Sequence, residues 1–223
     1  FYRKVTGGSL RTHAWSKDPG LYIQAGKKGA PASLVTRDGS DPHFGARPDR
    51  IFVHRRAKKK HSLVSLSLTG RDEVTHATNE FATRFQVSPD GRWLAWAEGY
   101  RAHVMAFTDV GAPIAVGPKS EALPTAAVSR DSAYALHFSG DSATLHWTRG
   151  AELLSAKVVP FFPALSGAEK AAEPPAKGID IGFERPSDVP DTTLALINAR
   201  IVTMKGDEVL EKGTVLIKKN RIV

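Results

Sequence analysis

The histidines are the residues of this chain best equipped for chemistry, and there are eight: His13, His43, His54, His61, His76, His103, His137 and His146. A metal centre needs two to four imidazoles or carboxylates gathered at workable spacing. These are scattered, with no His-x-His pair among them. His137 and His146 are the two that a hairpin would bring side by side, but a neighbouring pair on a strand surface needs no ion to explain it. Ser88 and Ser129 lie close to Asp90 and Asp131, and no Gly-x-Ser-x-Gly turn is present to raise a nucleophilic serine. Ser and Asp at such positions bond their own backbone and build turns. By type and spacing, the sequence therefore yields no catalytic, cofactor-binding or metal-binding residue.

Two further groups invite a binding role. The run His54-Arg55-Arg56-Ala57-Lys58-Lys59-Lys60-His61 has the charge density to attract phosphates or an anionic surface. Its place between two apolar runs, ending at Val53 and beginning at Leu63, points instead to a solvated hairpin tip, where charge also discourages edge pairing. Trp15, Trp93, Trp96 and Trp147 would serve as stacking platforms if exposed. Set within apolar strand runs, they are expected to be packing residues.

Those residues need a scaffold, and composition bounds it. The chain has 223 residues, 41% hydrophobic and 24% charged, with a formal charge of +8, which is the profile of a globular protein with a sizeable core. It has no cysteine, which excludes disulfides, thiolate metal sites and a Cys nucleophile together. No apolar run approaches the roughly 20 residues of a membrane-spanning helix. The positive charge is spread out, with one dense segment, so nucleic acid is not an expected partner.

The scaffold is written as a repeat. Ser88-Pro89-Asp90-Gly91 is a turn that releases Trp93-Leu94-Ala95-Trp96: Pro89 presets φ, Asp90 bonds its own backbone, and Gly91 tolerates φ > 0. Asp49, before Ile51-Phe52-Val53, and Asp131, before Tyr134 to Phe138, lie 41 residues to either side of Asp90. Asp18, before Leu21-Tyr22-Ile23, marks a shorter first unit. Each full unit continues with further runs: 63–68 and 74–78, then 103–107 and 114–116, then 144–147 and 153–159. About four short strands per 40 residues is the signature of a β-propeller blade. A β-sandwich also offers short strands and regular turns, but has no reason to repeat one turn at a constant interval.

Beyond Pro160 the texture changes. Pro163, Pro174, Pro175, Pro186 and Pro190 interrupt a stretch poor in large apolar groups, expected to be a semi-extended linker over 161–193. Residues 194–223 are strand-like again. Runs at Leu194–Met204, Glu208–Leu210, Thr214–Lys218 and Arg221–Val223 are separated by turns at Lys205-Gly206-Asp207, Glu211-Lys212-Gly213 and Lys219-Asn220.

Both parts resemble known families. The Ser88–Trp96 stretch is similar to the repeat of TolB-like β-propellers, in which such a turn precedes the innermost buried strands. Ala195-Leu196-Ile197-Asn198-Ala199-Arg200-Ile201-Val202-Thr203, Gly206-Asp207, Gly213-Thr214-Val215-Leu216-Ile217 and Asn220-Arg221-Ile222-Val223 resemble the opening β-sandwich strands of the amidohydrolase superfamily. The resemblance implies an all-β chain: TolB-like blades over 1–160, the linker over 161–193, and the start of an amidohydrolase sandwich over 194–223. It further implies an exported, periplasmic parent using zinc or another divalent metal to hydrolyse C–N bonds. The family's His-x-His barrel would lie beyond Val223, making this chain an inactive fragment whose principal partner is that barrel. The alternative is a self-sufficient propeller that binds a protein partner in the cell envelope.

Overall fold

The computed structural model describes residues 2–4, 18–120 and 123–223. The chain divides into two compact units, 1–182 and 183–223. No helix among the described residues is long and apolar enough to cross a membrane.

The first unit is a succession of antiparallel meanders. β1 (Tyr2–Lys4), β2 (Gly20–Gln24) and β3 (Ala32–Thr36) form the first sheet. β4 (Ser40–His43), β5 (Arg50–Ala57), β6 (Lys60–Ser67) and β7 (Val74–Asn79) form the second. The third contains β8 (Ala82–Val87), β9 (Trp93–Glu98) and β10 (Arg101–Ala106). β11 (Ile114–Ala115) then crosses back to pair in parallel with β7, and β12 (Thr125–Ala127) completes the third sheet beside β10. The fourth sheet runs β13 (Tyr134–Phe138), β14 (Thr144–Arg149), β15 (Glu152–Lys157) and β16 (Ile179–Asp180). These are β-propeller blades, as the repeat predicts.

Successive sheets stack face to face, and each interface has its own core. Leu21 and Val35 meet Ile51, Val53, Val64 and Leu66 between the first and second sheets. Leu63 and Ala77 meet Phe85, Leu94, Trp96 and Met105 between the second and third. Trp93, Ala95 and Val104 meet Leu136, Leu145 and Trp147 between the third and fourth. Because side chains alternate along a strand, Leu94 and Trp96 face one neighbour while Trp93 and Ala95 face the other. That two-sided burial is why β9 reads as an unbroken apolar run.

The register of the repeat differs from the one expected. The Ser88 hydroxyl donates to Asp90 Oδ1 at 2.6 Å and accepts from the Trp93 N–H at 2.9 Å, while the Arg92 N–H donates to Asp90 Oδ1 at 3.0 Å. The same network recurs at Ser139 and Asp141: hydroxyl to Asp141 Oδ1 at 2.5 Å, Thr144 N–H to hydroxyl at 3.0 Å, and Ala143 N–H to Asp141 Oδ1 at 3.0 Å. Asp131 instead belongs to the connection between β12 and β13, where its carbonyl accepts from the Ser129 hydroxyl at 2.9 Å. The equal spacing of Asp131 from Asp90 joined two different turns. Burial of Ser88, at 0% exposure, predicts a test of the turn. Ser88→Ala strips the Trp93 N–H of its acceptor and is expected to cost about 1–2 kcal/mol, read from urea unfolding midpoints.

Other differences have equally local causes. The strand released by the turn, β9, is flanked by β8 and β10, so it is interior to its sheet rather than the first strand. The strands preceding the turns, β4 and β8, went unpredicted because Ser40-Asp41-Pro42-His43 and Ala82-Thr83-Arg84-Phe85-Gln86-Val87 carry too much polarity; an edge position tolerates Pro42. The run at 114–116, expected as an outer strand of its own blade, joins the preceding one. The stretch expected as linker over 161–193 begins inside the first unit. Phe161 and Phe162 are buried in its last core, Phe162 stacks on Trp93 with ring centroids 5.2 Å apart, and β16 pairs with β15.

The second unit is a meander of β17 (Thr193–Val202), β18 (Val209–Lys218) and β19 (Arg221–Ile222). The turn expected at Glu211-Lys212-Gly213 is absent, and β18 runs straight through it. Gly213 stands opposite Ala199, and a Cβ there would lie 2.3 Å from Ile201 Cδ1. The glycine is a passage for the Ile201 side chain rather than a turn residue.

Candidate functional site

β8 lies between β4 and β13, each of the three being the first strand of its sheet, and a cavity of about 460 Å³ opens there. Asp41 and Arg84 line it and form a 2.5 Å ion pair that ties the second sheet to the third. His54 Nδ1 stands 3.9 Å from the Asp41 carboxylate, and His54 Nε2 lies 2.9 Å from His61 Nδ1, so a polar chain runs from β8 through β4 and β5 to β6. His54, Arg84 and the Ser40 hydroxyl, acting against burial, hold the Asp41 carboxyl well below the usual carboxylate range. Burial, with His54 and Arg56, pushes the His61 imidazole down. His43 forms a second link between the sheets: its Nε2 accepts the Val87 N–H at 2.9 Å, and burial pushes its pKa down to about 4.

Aromatic side chains also line the cavity. Phe81, Tyr100 and Tyr134 are 67%, 72% and 57% exposed there. Tyr100 is placed by a tight hairpin in which Gly99 and Tyr100 both have positive φ, 54° and 69°. Its carbonyl accepts the Ala133 N–H at 2.8 Å, which fastens the hairpin to the entry of the fourth sheet. Exposed rings beside an internally neutralised Arg–Asp pair are suited to stacking and hydrogen bonding with a bound chain, since Arg84 already spends its charge on Asp41.

No family model matches the sequence, and no curated protein matches it. Solved structures that it resembles include the β-propeller domain of the Trilobed protease from Pyrococcus furiosus, at 13% identity over 83% of this chain and 56% of that one, with a TM-score of 0.35. An uncharacterized protein from Listeria monocytogenes EGD-e is similar at 10% identity over 85% of this chain and 55% of that one, with a TM-score of 0.38. An acylaminoacyl peptidase in complex with Z-Gly-Gly-Phe-chloromethyl ketone is similar at 14% identity over 83% of this chain and 24% of that one, with a TM-score of 0.31. The chain thus spans about half the length of the first two.

The residues singled out in the sequence fall as follows. His13 and Trp15 lie outside the described residues. Trp93, Trp96 and Trp147 are buried at 8%, 0% and 0% exposure, so they pack blades and offer no platform. His137 and His146 are direct cross-strand partners, stacked with centroids 5.1 Å apart. Each has a local partner: His137 Nδ1 lies 2.9 Å from the Ala135 carbonyl and His146 Nδ1 lies 2.7 Å from the Ser155 hydroxyl. Among the described residues no group of three or more His, Asp or Glu could hold a metal ion.

The basic run is only partly the solvated tip expected of it. Lys58 and Lys59 form the turn, but His54 is buried at 8% exposure, and Arg55 pairs with Glu73 at 2.6 Å. Arg56 to Lys60 are exposed, as a solvated tip requires, while the two ends of the run, His54 with Arg55 and His61, are drawn into the sheet. The Asp41–Arg84 pair was missed because neither residue stands in a motif. Two sheets 43 positions apart had to be stacked before the pair existed.

Proposed function

We propose that this chain is the non-catalytic propeller and sandwich portion of a metal-dependent amidohydrolase that cleaves C–N bonds. The observation that carries this reading is the exposed apolar surface of the second unit. Cross-strand pairing places Leu194 beside Ile217 and Leu196 beside Val215, and Ile217 beside Ile222. Leu194, Leu196 and Ile222 are nevertheless 54%, 47% and 77% exposed. A meander of this size is marginal alone, and its exposed apolar residues call for a covering layer. Its strand sequence resembles the family's opening sandwich, so the layer proposed is the remainder of that sandwich and the barrel it flanks.

In this reading the propeller restricts access to the barrel or recognises substrate, and the protein is exported. In the same reading zinc or another divalent metal is held by the barrel. The chain alone, supplied with zinc, is expected to leave amide and cyclic amide substrates intact. A longer chain continuing through a His-x-His barrel is expected to hydrolyse them and to retain zinc through gel filtration. Hydrolysis by the isolated chain would overturn the proposal.

The exposed rings of Phe81, Tyr100 and Tyr134 favour a second reading, a self-sufficient module that binds a protein in the cell envelope. Stoichiometric capture of one envelope protein by the chain, lost on Tyr100→Ala, would favour that module over the enzyme portion.

A further inference from the structure

A separate cavity of about 270 Å³ lies in the first unit, lined by Arg50, Phe52, Ser65, His76, Phe107 and Asp109 among others. Its cation is unusual in its partners. Arg50 Nε and Nη2 donate to the Ser65 hydroxyl at 3.3 and 3.0 Å; Nη2 also donates to the Ser65 carbonyl at 3.2 Å and to the Asp72 carbonyl. All are neutral acceptors. Among the described residues no carboxylate lies within ion-pair distance of Arg50, and Nη1 makes no hydrogen bond, whereas nearby Arg47 is closed by Asp49 at 2.6 Å. A half-buried guanidinium held this way is fixed in position with no direct ion pair, the Asp49 carboxylate acting on it only at longer range, in a setting where charge-assisted bonds are strong.

The surroundings of that charge are largely aromatic, with Arg47 and Asp109 also on the lining, and the rings meet at 57° to 78° so that they form an angled cleft rather than one plane. The rings of Phe52, His76 and Phe107 pack mutually, with centroids 5.3 Å apart for Phe52 and His76, 5.8 Å for Phe52 and Phe107, and 5.6 Å for His76 and Phe107. His76 Nε2 is engaged by the Ser65 hydroxyl at 2.7 Å, which leaves Nδ1 without a protein partner among the described residues. Burial keeps the imidazole on the neutral side, against the pull of Asp109. Ser65 is no nucleophile here: it is 2% exposed, and its hydroxyl is spent on Arg50 and His76.

We propose that this cavity binds a small organic carboxylate with a flat apolar body, its carboxylate on Arg50 and its body against Phe52 and Phe107. Benzoate, titrated into the whole chain labelled with ¹³C-histidine, is expected to shift the His76 resonance saturably at millimolar concentration and to leave His137 still. Benzamide has the same shape without the charge and is expected to bind about tenfold more weakly or worse. Arg50→Gln should abolish the benzoate shift. Because Arg50 also fastens the turn at Asp72, the exposed Asp109→Asn provides an independent check: removing a like charge from the rim is expected to tighten benzoate by about two- to fivefold. No saturable shift, equal affinity for benzamide, or weaker binding to Asp109→Asn would each overturn the proposal.

Discussion

Replacing Trp96 by alanine is expected to remove about 3–5 kcal/mol from the stability of the first unit. The indole is fully buried between the second and third sheets, where Leu63, Phe85 and Met105 belong to the same core. The His103 ring stacks on it with centroids 5.4 Å apart. Its Nε1–H donates to Glu98 Oε2 at 3.2 Å, and that oxygen also accepts from Asn79 Nδ2 at 2.8 Å. Asn79 in turn caps the start of β8 by accepting the Ala82 N–H at 2.5 Å and donates to the Val116 carbonyl at 2.8 Å. The truncation therefore opens a cavity and loosens the network that holds β7, β8 and β11 together. Trp96→Phe retains most of the volume and should lose only about 1 kcal/mol, the worth of the single hydrogen bond and part of the contact surface. Urea unfolding of both variants at neutral pH measures the difference. An alanine cost below the phenylalanine cost would contradict two-sided burial of β9.

The same residue shows how far the fold could be read from the chain. Trp93-Leu94-Ala95-Trp96 announces a strand buried on both faces, because such a strand has no solvent side to mark with polar residues. β4 and β8 announce nothing of the kind. They sit at the edge of their sheets, where Asp41 and Arg84 find partners in a neighbouring sheet and Pro42 costs no ladder bond. The Asp41–Arg84 side of the candidate site was illegible for that reason: it is lined from strands that local polarity disguises as loops, whereas Tyr134 on the opposite side comes from a run legible as a strand. The turn chemistry was legible at Ser88-Pro89-Asp90-Gly91, yet its true repeat, Ser139-Gly140-Asp141-Ser142, was hidden because the proline and the glycine do not recur in place. What recurs is a hydroxyl two residues before a carboxylate. Gly213 misled in the opposite direction, since a glycine that admits a neighbouring side chain looks in sequence like a glycine that turns the chain.

Acid is expected to weaken the first unit in two stages, the first governed by histidines that fold in their neutral form. His43 is the strongest case. Burial brings its pKa down to about 4, against the opposing pull of the Asp41 carbonyl and carboxylate, and its Nε2 must stay unprotonated to accept the Val87 N–H. In the unfolded chain the same imidazole titrates near the ordinary 6.5. Between those values the unfolded state binds the proton and the folded state does not, so stability is full above about pH 6.5 and falls as the pH drops toward 4. For His43 alone the loss is roughly 3 kcal/mol. His61, His76, His103 and His146 are all pushed down chiefly by burial and act in the same direction. The second stage belongs to carboxylates. At Asp90 burial raises the pKa, but the Ser88 hydroxyl, the Arg92 N–H and the Arg92 guanidinium outweigh it and bring it to about 2. Asp41 is lowered by His54, Arg84 and Ser40. Their stabilisation is present above the ordinary carboxylate range and is lost as the pH falls below it. Urea midpoints measured from pH 7 down to pH 3 should therefore decline first through the histidine range and again below about pH 4. His43→Gln keeps a hydrogen-bonding side chain without the titration. It is expected to make the first decline shallower, the other histidines still contributing, while leaving the second in place, and an unchanged slope between pH 6.5 and 4 would remove His43 from the account.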